Sequence, residues 1–138
     1  ACGLHAQCLA AQIKGLSMDH VPPVHFAKGS YFGCNAPVPL GRLIYPTPID
    51  GGLGVHLTLD LQNRGRFGPD AEWLVTQNPN EIDYEVDPSR ADQFYESIRK
   101  YWPDLPDGAL TPDYAGWRLS DRRSKQARNS WPCKSLRN

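Results

Sequence analysis

Residues 55–62, "VHLTLDLQ", alternate apolar and polar side chains without a break. That period places Val55, Leu57, Leu59 and Leu61 on one face of a strand and His56, Thr58, Asp60 and Gln62 on the other. A chain carrying such a segment must build a sheet with one covered face and one polar face. The preceding stretch, "DGGLG" at 50–54, raises a rival reading, because a dinucleotide fingerprint needs G-x-G-x-x-G leading from a strand into a helix. Here Gly52-x-Gly54 is followed by Leu57 and by a strand, so the phosphate loop fails. Asp50-Gly51 reads instead as a hairpin turn.

The remaining chain supplies more strands and two helices. "VHFAKGSYFGC" (24–34) and "GRLIYPTP" (41–48) are short, aromatic or β-branched, and bounded by Gly and Pro, which predicts strands. Pro46 and Pro48 confine the end of the second to an edge or a turn. "NRGRFGPD" (63–70) predicts a turn and a short strand, and "AEWLV" extends the sheet. "GLHAQCLAAQIK" (3–14) spaces Leu4, Cys8, Leu9 and Ile13 as a helix, with Gly15 as its stop. "NPNEIDYEV" (78–86) is acidic and irregular, a surface excursion. Next comes the clearest helix: Asp87 as N-cap, Pro88 in the first position, and a stripe of Ala91, Phe94, Tyr95, Ile98 and Tyr101/Trp102, closed by Pro103. Glu96 and Lys100 stand four apart in the favourable order for an ion pair. The pattern predicts an α+β fold, a mostly antiparallel sheet with flanking helices.

Length and composition bound the rest. A chain of 138 residues is one domain's worth, and 40% hydrophobic residues with four tryptophans exclude wholesale disorder. No apolar run approaches the roughly 20 residues of a membrane span, and nothing at the N-terminus reads as a secretory signal. Cys2, Cys8, Cys34 and Cys133 form no C-x-x-C pair and have no zinc-finger spacing to histidine, so reduced thiols in a cytoplasmic protein are expected and no metal site. The zero net charge hides two regimes. Residues 1–117 hold eight basic against fourteen acidic residues, a net of −6, and 118–138 hold seven against one, a net of +6. That last segment loses every periodicity and reads as a solvated basic tail. Charge alone would support a nucleic-acid partner there, but no aromatic platform or known fold accompanies it, so none is expected.

Chemistry concentrates on few residues. His56 shares a strand face with Thr58 and Asp60, and Tyr31 and Tyr45 sit on neighbouring strands. A structural histidine and ordinary sheet tyrosines would look the same in sequence. Lys28 reads as a lone solvated charge. Arg118, directly after "DYAGW", could clamp a carboxylate in bidentate fashion or simply begin the tail. No nucleophile elbow, metal motif or Walker pattern is present.

The ordered run "ACGLHAQ", "AKGSYF", "RLIYPTP", "GGLGVHLTLD", "RFGPDAEW" and "YEVDPSRADQFYESIRKYWPDLPDGALTPDYAGWR" resembles the FAD-dependent oxidoreductases of the D-amino-acid oxidase and glycine oxidase family, on the L-2-hydroxyglutarate dehydrogenase branch. The resemblance covers about residues 1–118 and divides the chain in three. Residues 1–16 would be the end of a flavin-domain strand and a helix, 17–117 a substrate domain, and 118–138 a tail that departs from the family. It implies FAD as cofactor, with the backbone of Cys2 and Gly3 near it, and a small 2-hydroxy or 2-amino acid as substrate. By the same resemblance His56 is the catalytic candidate, and Arg118, Tyr31, Tyr45 and Thr58 bind substrate. The family usually continues "AGIRPK" where this chain has "AGWRLSDRR", so the arginine matches and the Pro-Lys does not. The strand–GxGxxG–helix that grips the FAD pyrophosphate is absent from the sequence, so the chain resembles an internal fragment that is not expected to hold FAD or turn over alone; the alternative is a catalytically inactive truncated remnant, or an interaction domain whose exposed sheet face pairs with a second copy.

Overall fold

The computed structural model describes residues 2–23, 25–47, 54–76 and 78–120. The expected Asp50-Gly51 turn, Cys133 and all but the first three residues of the basic segment lie outside them. Five strands form one antiparallel sheet: β1 (His25–Cys34), β2 (His56–Leu59), β3 (Gly65–Gly68), β4 (Glu72–Trp73) and β5 (Leu110–Ser120). Two helices accompany it, α1 (Ala6–Ala10) and α2 (Ala91–Ile98), giving the expected α+β architecture.

β1 is the axis of the sheet. Along one edge it pairs with β5 from His25↔Ser120 to Cys34↔Leu110. Along the other it pairs with β3 at Phe32↔Phe67 and with β4 at Ala27↔Trp73. β2 lies outside β3, with His56 opposite Gly68 and Leu57 opposite Phe67. Between the β3 and β4 pairings the β1 backbone at Ser30 lacks a strand partner on that edge, and a bare peptide group in a half-buried sheet is costly. Asp70 fills the gap: its N–H donates to the Ser30 carbonyl at 3.3 Å, and its Oδ1 accepts from the Ser30 N–H at 2.7 Å. The other carboxylate oxygen accepts from Arg90 just ahead of α2, at 2.6 Å from Nε. One side chain thus ties the split edge of the sheet to the helix.

The helix covers one face. Phe32, Leu57, Phe67, Phe94 and Ile98 have no exposed surface, and Trp102 and Leu105 close the cluster. Phe94 tilts against Phe32 with ring centroids 4.6 Å apart. Each such side chain stabilises the fold by about 1.5–3 kcal/mol relative to leaving it in water. Two hydroxyls seal the rim, Tyr95 accepting from the Leu110 N–H at 3.0 Å and Tyr101 donating to the Val55 carbonyl at 3.3 Å. Asp87 caps the helix entry as expected, its side chain accepting from the Ser89 N–H at 2.9 Å.

Several expectations need correction. The first helix is shorter than 3–14: a 3-10 turn at Gly3–His5 leads into five residues, and Leu9 and Ile13 stand exposed. The segment 41–48 contributes only an isolated bridge, Ile44↔Leu57, as its prolines would dictate. α2 ends at Ile98, and no ion pair joins Glu96 to Lys100 among the described residues. Lys28 is not solvated but 8% exposed, because strand alternation puts it on the covered side opposite Trp117. Its charge needs a partner there. The acidic excursion supplies one, with Nζ donating to the Glu85 carbonyl and standing 3.8 Å from Asp83, over the Trp117 ring. Finally, Arg118, Leu119 and Ser120 belong to β5, so the boundary expected at 117/118 falls inside a strand.

Candidate active site

Opposite residues in an antiparallel pair share a face. The register therefore gathers the odd-numbered positions of β1 with their partners on the side that α2 leaves open. Across the sheet one row runs His56, Gly68 and, next on β1, Tyr31, and a second runs Thr58, Arg66 and Gly33. On the other flank Gly29 faces Gly116 and Ala27 faces Arg118. All five residues expected to contact substrate thus fall on one face or its edge.

They do not all converge. Tyr31 and Arg118 line one cavity of about 200 Å³ together with Ala27, Gly29, Pro69, Asp70, Ala71, Gly116 and Trp117. Gly29 is explained by packing, since a Cβ there would stand 2.7 Å from Pro69 Cβ, whereas a Cβ on Gly116 would meet nothing within 4 Å and would project into free space. Glycine in a strand often marks the close approach of a ligand or another backbone. Arg118 is exposed and joins no ion pair among the described residues.

His56 is not on a wet face as its alternation suggests. It is 8% exposed, and the Tyr45 ring, from the segment bridging β2, tilts against it with centroids 4.2 Å apart. Tyr45 itself stays 62% exposed, so the pair lies at the margin of the open face. The hydroxyl of Thr58 donates to the Arg66 carbonyl at 3.3 Å, and Thr58 lines a different cavity of about 420 Å³ with Asp60, Arg64, Arg66 and Asp113. Its placement is apart from Arg118. Burial, reinforced by the neighbouring Tyr114, holds the Tyr31 phenol above its ordinary pKa, so it remains a neutral hydroxyl able to donate.

Two partners of this face escape sequence reasoning. Tyr114 stacks on Tyr31 with centroids 4.4 Å apart and planes 13° from parallel. Arg66 lies 5.1 Å from the Tyr114 centroid and bonds Asp113 through Nε at 2.5 Å. Only the local run "PDY" ahead of "AGWR" could have hinted at an irregular strand there.

Cys2 and Gly3 sit in the exposed 3-10 turn, which lies against β5. Gly3 has φ +51° with nothing within 4 Å of where a Cβ would stand, so its backbone is open on that side and leaves room for the expected flavin. No glycine-rich loop running from a strand into a helix occurs among the described residues, so a pyrophosphate cradle is not among them. No group of three metal-ligating side chains occurs among them either.

Comparison of the sequence with known proteins gives the family of this chain. The chain belongs to the FAD dependent oxidoreductase family, whose model matches residues 1–130. Within that family the chain is similar to L-2-hydroxyglutarate dehydrogenase, mitochondrial, of Arabidopsis thaliana, at 48% identity over 133 residues. The alignment takes in 91% of this chain and 27% of the relative, so the chain spans about a quarter of that protein. The family match runs to residue 130, past Arg118, so the departure expected after "AGWR" does not mark the edge of the family. Among the described residues no helix is long and apolar enough to cross a membrane.

Proposed function

We propose that this chain forms the substrate-binding face of a flavoprotein that oxidises a small 2-hydroxy acid, with a 2-amino acid as the less favoured substrate. The observation that carries the reading is the shared cavity of Arg118 and Tyr31 above a bare glycine floor. At about 200 Å³ it is smaller than the roughly 300–1,000 Å³ clefts of larger ligands, which suits an acid of a few carbons. The acid in the relative's name, L-2-hydroxyglutarate, is of that size class.

Arg118 offers a planar fork of N–H donors to the substrate carboxylate and fixes its orientation. The acid then lies across Gly116 and Gly29, toward the Tyr31 hydroxyl. His56, beside Tyr45 at the margin of the same face, is the acceptor we assign to the proton of the substrate hydroxyl, at a ring nitrogen. FAD, when bound, supplies the acceptor for the hydride that leaves the α-carbon. The exposed thiols of Cys2 and Cys8 support work in a reducing compartment, the cytoplasm or an organelle interior.

The test is steady-state oxidation of L-2-hydroxyglutarate by the FAD-loaded holoprotein. Arg118→Leu is expected to raise KM by about 10- to 100-fold through loss of a charge-assisted contact. His56→Ala is expected to lower kcat by about 100-fold or more while KM moves little. Unchanged KM in the first variant, or unchanged kcat in the second, sinks the corresponding role.

A further inference from the structure

We infer that Tyr114 is a positioning residue of this site: stacked on Tyr31, it fixes the direction in which that side chain offers its hydroxyl to the cavity. The inference rests on the reading of the Arg118 cavity as an acid-binding site. It starts from a register irregularity. Between Ser30↔Ala115 and Phe32↔Pro112, β1 advances two residues while β5 advances three. The extra residue makes a β-bulge, a feature that re-aims side chains and recurs beside active sites.

Its consequence is visible in the contacts. In a regular strand Asp113 and Tyr114 would point to opposite faces. Here both engage the open face, Tyr114 against the Tyr31 ring at 4.4 Å and Asp113 against Arg66 Nε at 2.5 Å. Arg66, on β3, also lies 5.1 Å from the Tyr114 ring centroid, so the bulge is tied across β1 to β3 through both of its residues. From beneath, Gly68 leaves the room that Tyr31 occupies: a Cβ there would stand 2.7 Å from Tyr31 Cδ1. The Tyr31 ring is therefore bounded by bare backbone on β3 and by Tyr114 on β5. A tyrosine on an open face would otherwise sample several rotamers.

Nothing in packing demands this arrangement. Tyr114 is 44% exposed and lies outside the buried cluster. Aromatic stacking and the Arg66 contact hold it on a face that a purely structural tyrosine would not need to cover.

The experiment compares Tyr114→Ala, Tyr114→Phe, Tyr31→Ala and the Tyr31→Ala/Tyr114→Ala pair in the FAD-loaded holoprotein, with L-2-hydroxyglutarate as substrate. Tyr114→Ala is expected to raise KM about 3- to 10-fold with kcat within about twofold, the size of a lost aromatic pair. Tyr114→Phe keeps the stack and should return KM to within about twofold of the parent. The double variant should be no worse than Tyr31→Ala alone, since Tyr114 acts through Tyr31. Multiplying losses in the double variant, or an unchanged KM in Tyr114→Ala, overturn the proposal. A second readout does not depend on substrate. In an alkaline absorbance titration Tyr31→Phe identifies the Tyr31 transition, and that transition should move to lower pH in Tyr114→Ala. If it does not move, Tyr114 does not position Tyr31. If it moves while Arg118→Leu leaves KM unchanged, the contact stands and the acid-binding reading of the cavity has failed.

Discussion

The two faces of the same sheet differ in what holds them. On the helix side Phe26, Lys28, Ser30 and Phe32 alternate inward from β1, all nearly or wholly buried, and the one charge among them is paired with the 83–85 segment. On the other side Ala27, Gly29, Tyr31 and Gly33 leave a floor of small residues, and the large side chains there touch each other rather than a core. The first face is bought with apolar area, which stabilises without direction. The second relies on stacks, guanidinium contacts and backbone room, which contribute little to stability but set where functional groups point. A strand reads both programmes through its twofold alternation, so neighbouring residues of β1 answer to different physics.

The largest expected effect breaks the covered side. Phe94→Ala removes a fully buried ring packed on Phe32 and should destabilise by about 3–5 kcal/mol in denaturant unfolding. A loss under about 1 kcal/mol would mean that α2 does not form the lid described. Next comes the joint between the faces. Asp70→Ala leaves the Ser30 N–H without its acceptor and Arg90 with Glu72 alone, in half-buried surroundings, and should cost about 1–3 kcal/mol. Amide hydrogen exchange adds the location: protection should fall first at Ser30 and at the start of α2, and uniform loss across β1 would contradict the local role.

Legibility in the sequence follows the same division. The covered face announces itself, because alternation at 55–59, the aromatic run at 24–34 and the stripe of α2 are periodic signals that burial imposes, whereas Leu61, expected on the same covered face, lies past the end of β2 and is fully exposed. The open face was legible by residue type, as His56, Tyr31, Tyr45 and Arg118 do share it, but not by distance: Thr58 shares the face yet lines another cavity, and His56 is buried beside a ring from a segment that barely pairs. β5 stayed hidden for a physical reason. Pro112, Gly116 and the bulge at 113–114 break its period, so "LTPDYAGWRLS" shows no alternation although it forms the longest strand among the described residues. Lys28 misled because a lone lysine gives no sign that an acidic segment some 55 residues later will fold over it.

The smallest effect sharpens the contrast most directly, through two tyrosines. Tyr101 on the covered side is pushed well above its ordinary pKa of 10.0 by burial. Tyr31 on the open side is raised too, by burial first and then by Tyr114. A phenol whose pKa is raised by folding keeps its proton in the native chain after the unfolded chain has begun to ionise. Stability contributed by either group is therefore complete below pH 10 and declines as pH climbs from there toward the folded value. Tyr101→Phe should flatten most of the decline between pH 10 and 11.5, and Tyr31→Phe a lesser part, as measured by denaturant midpoints at each pH. The discriminating step is to cover the open face. Saturating the FAD-loaded holoprotein with L-2-hydroxyglutarate should raise the Tyr31 transition in a phenolate absorbance titration and leave Tyr101 where it was, because only Tyr31 lines the cavity proposed for the acid. Equal movement of both would mean that the ligand tightens the whole domain, and movement of neither would place the acid elsewhere.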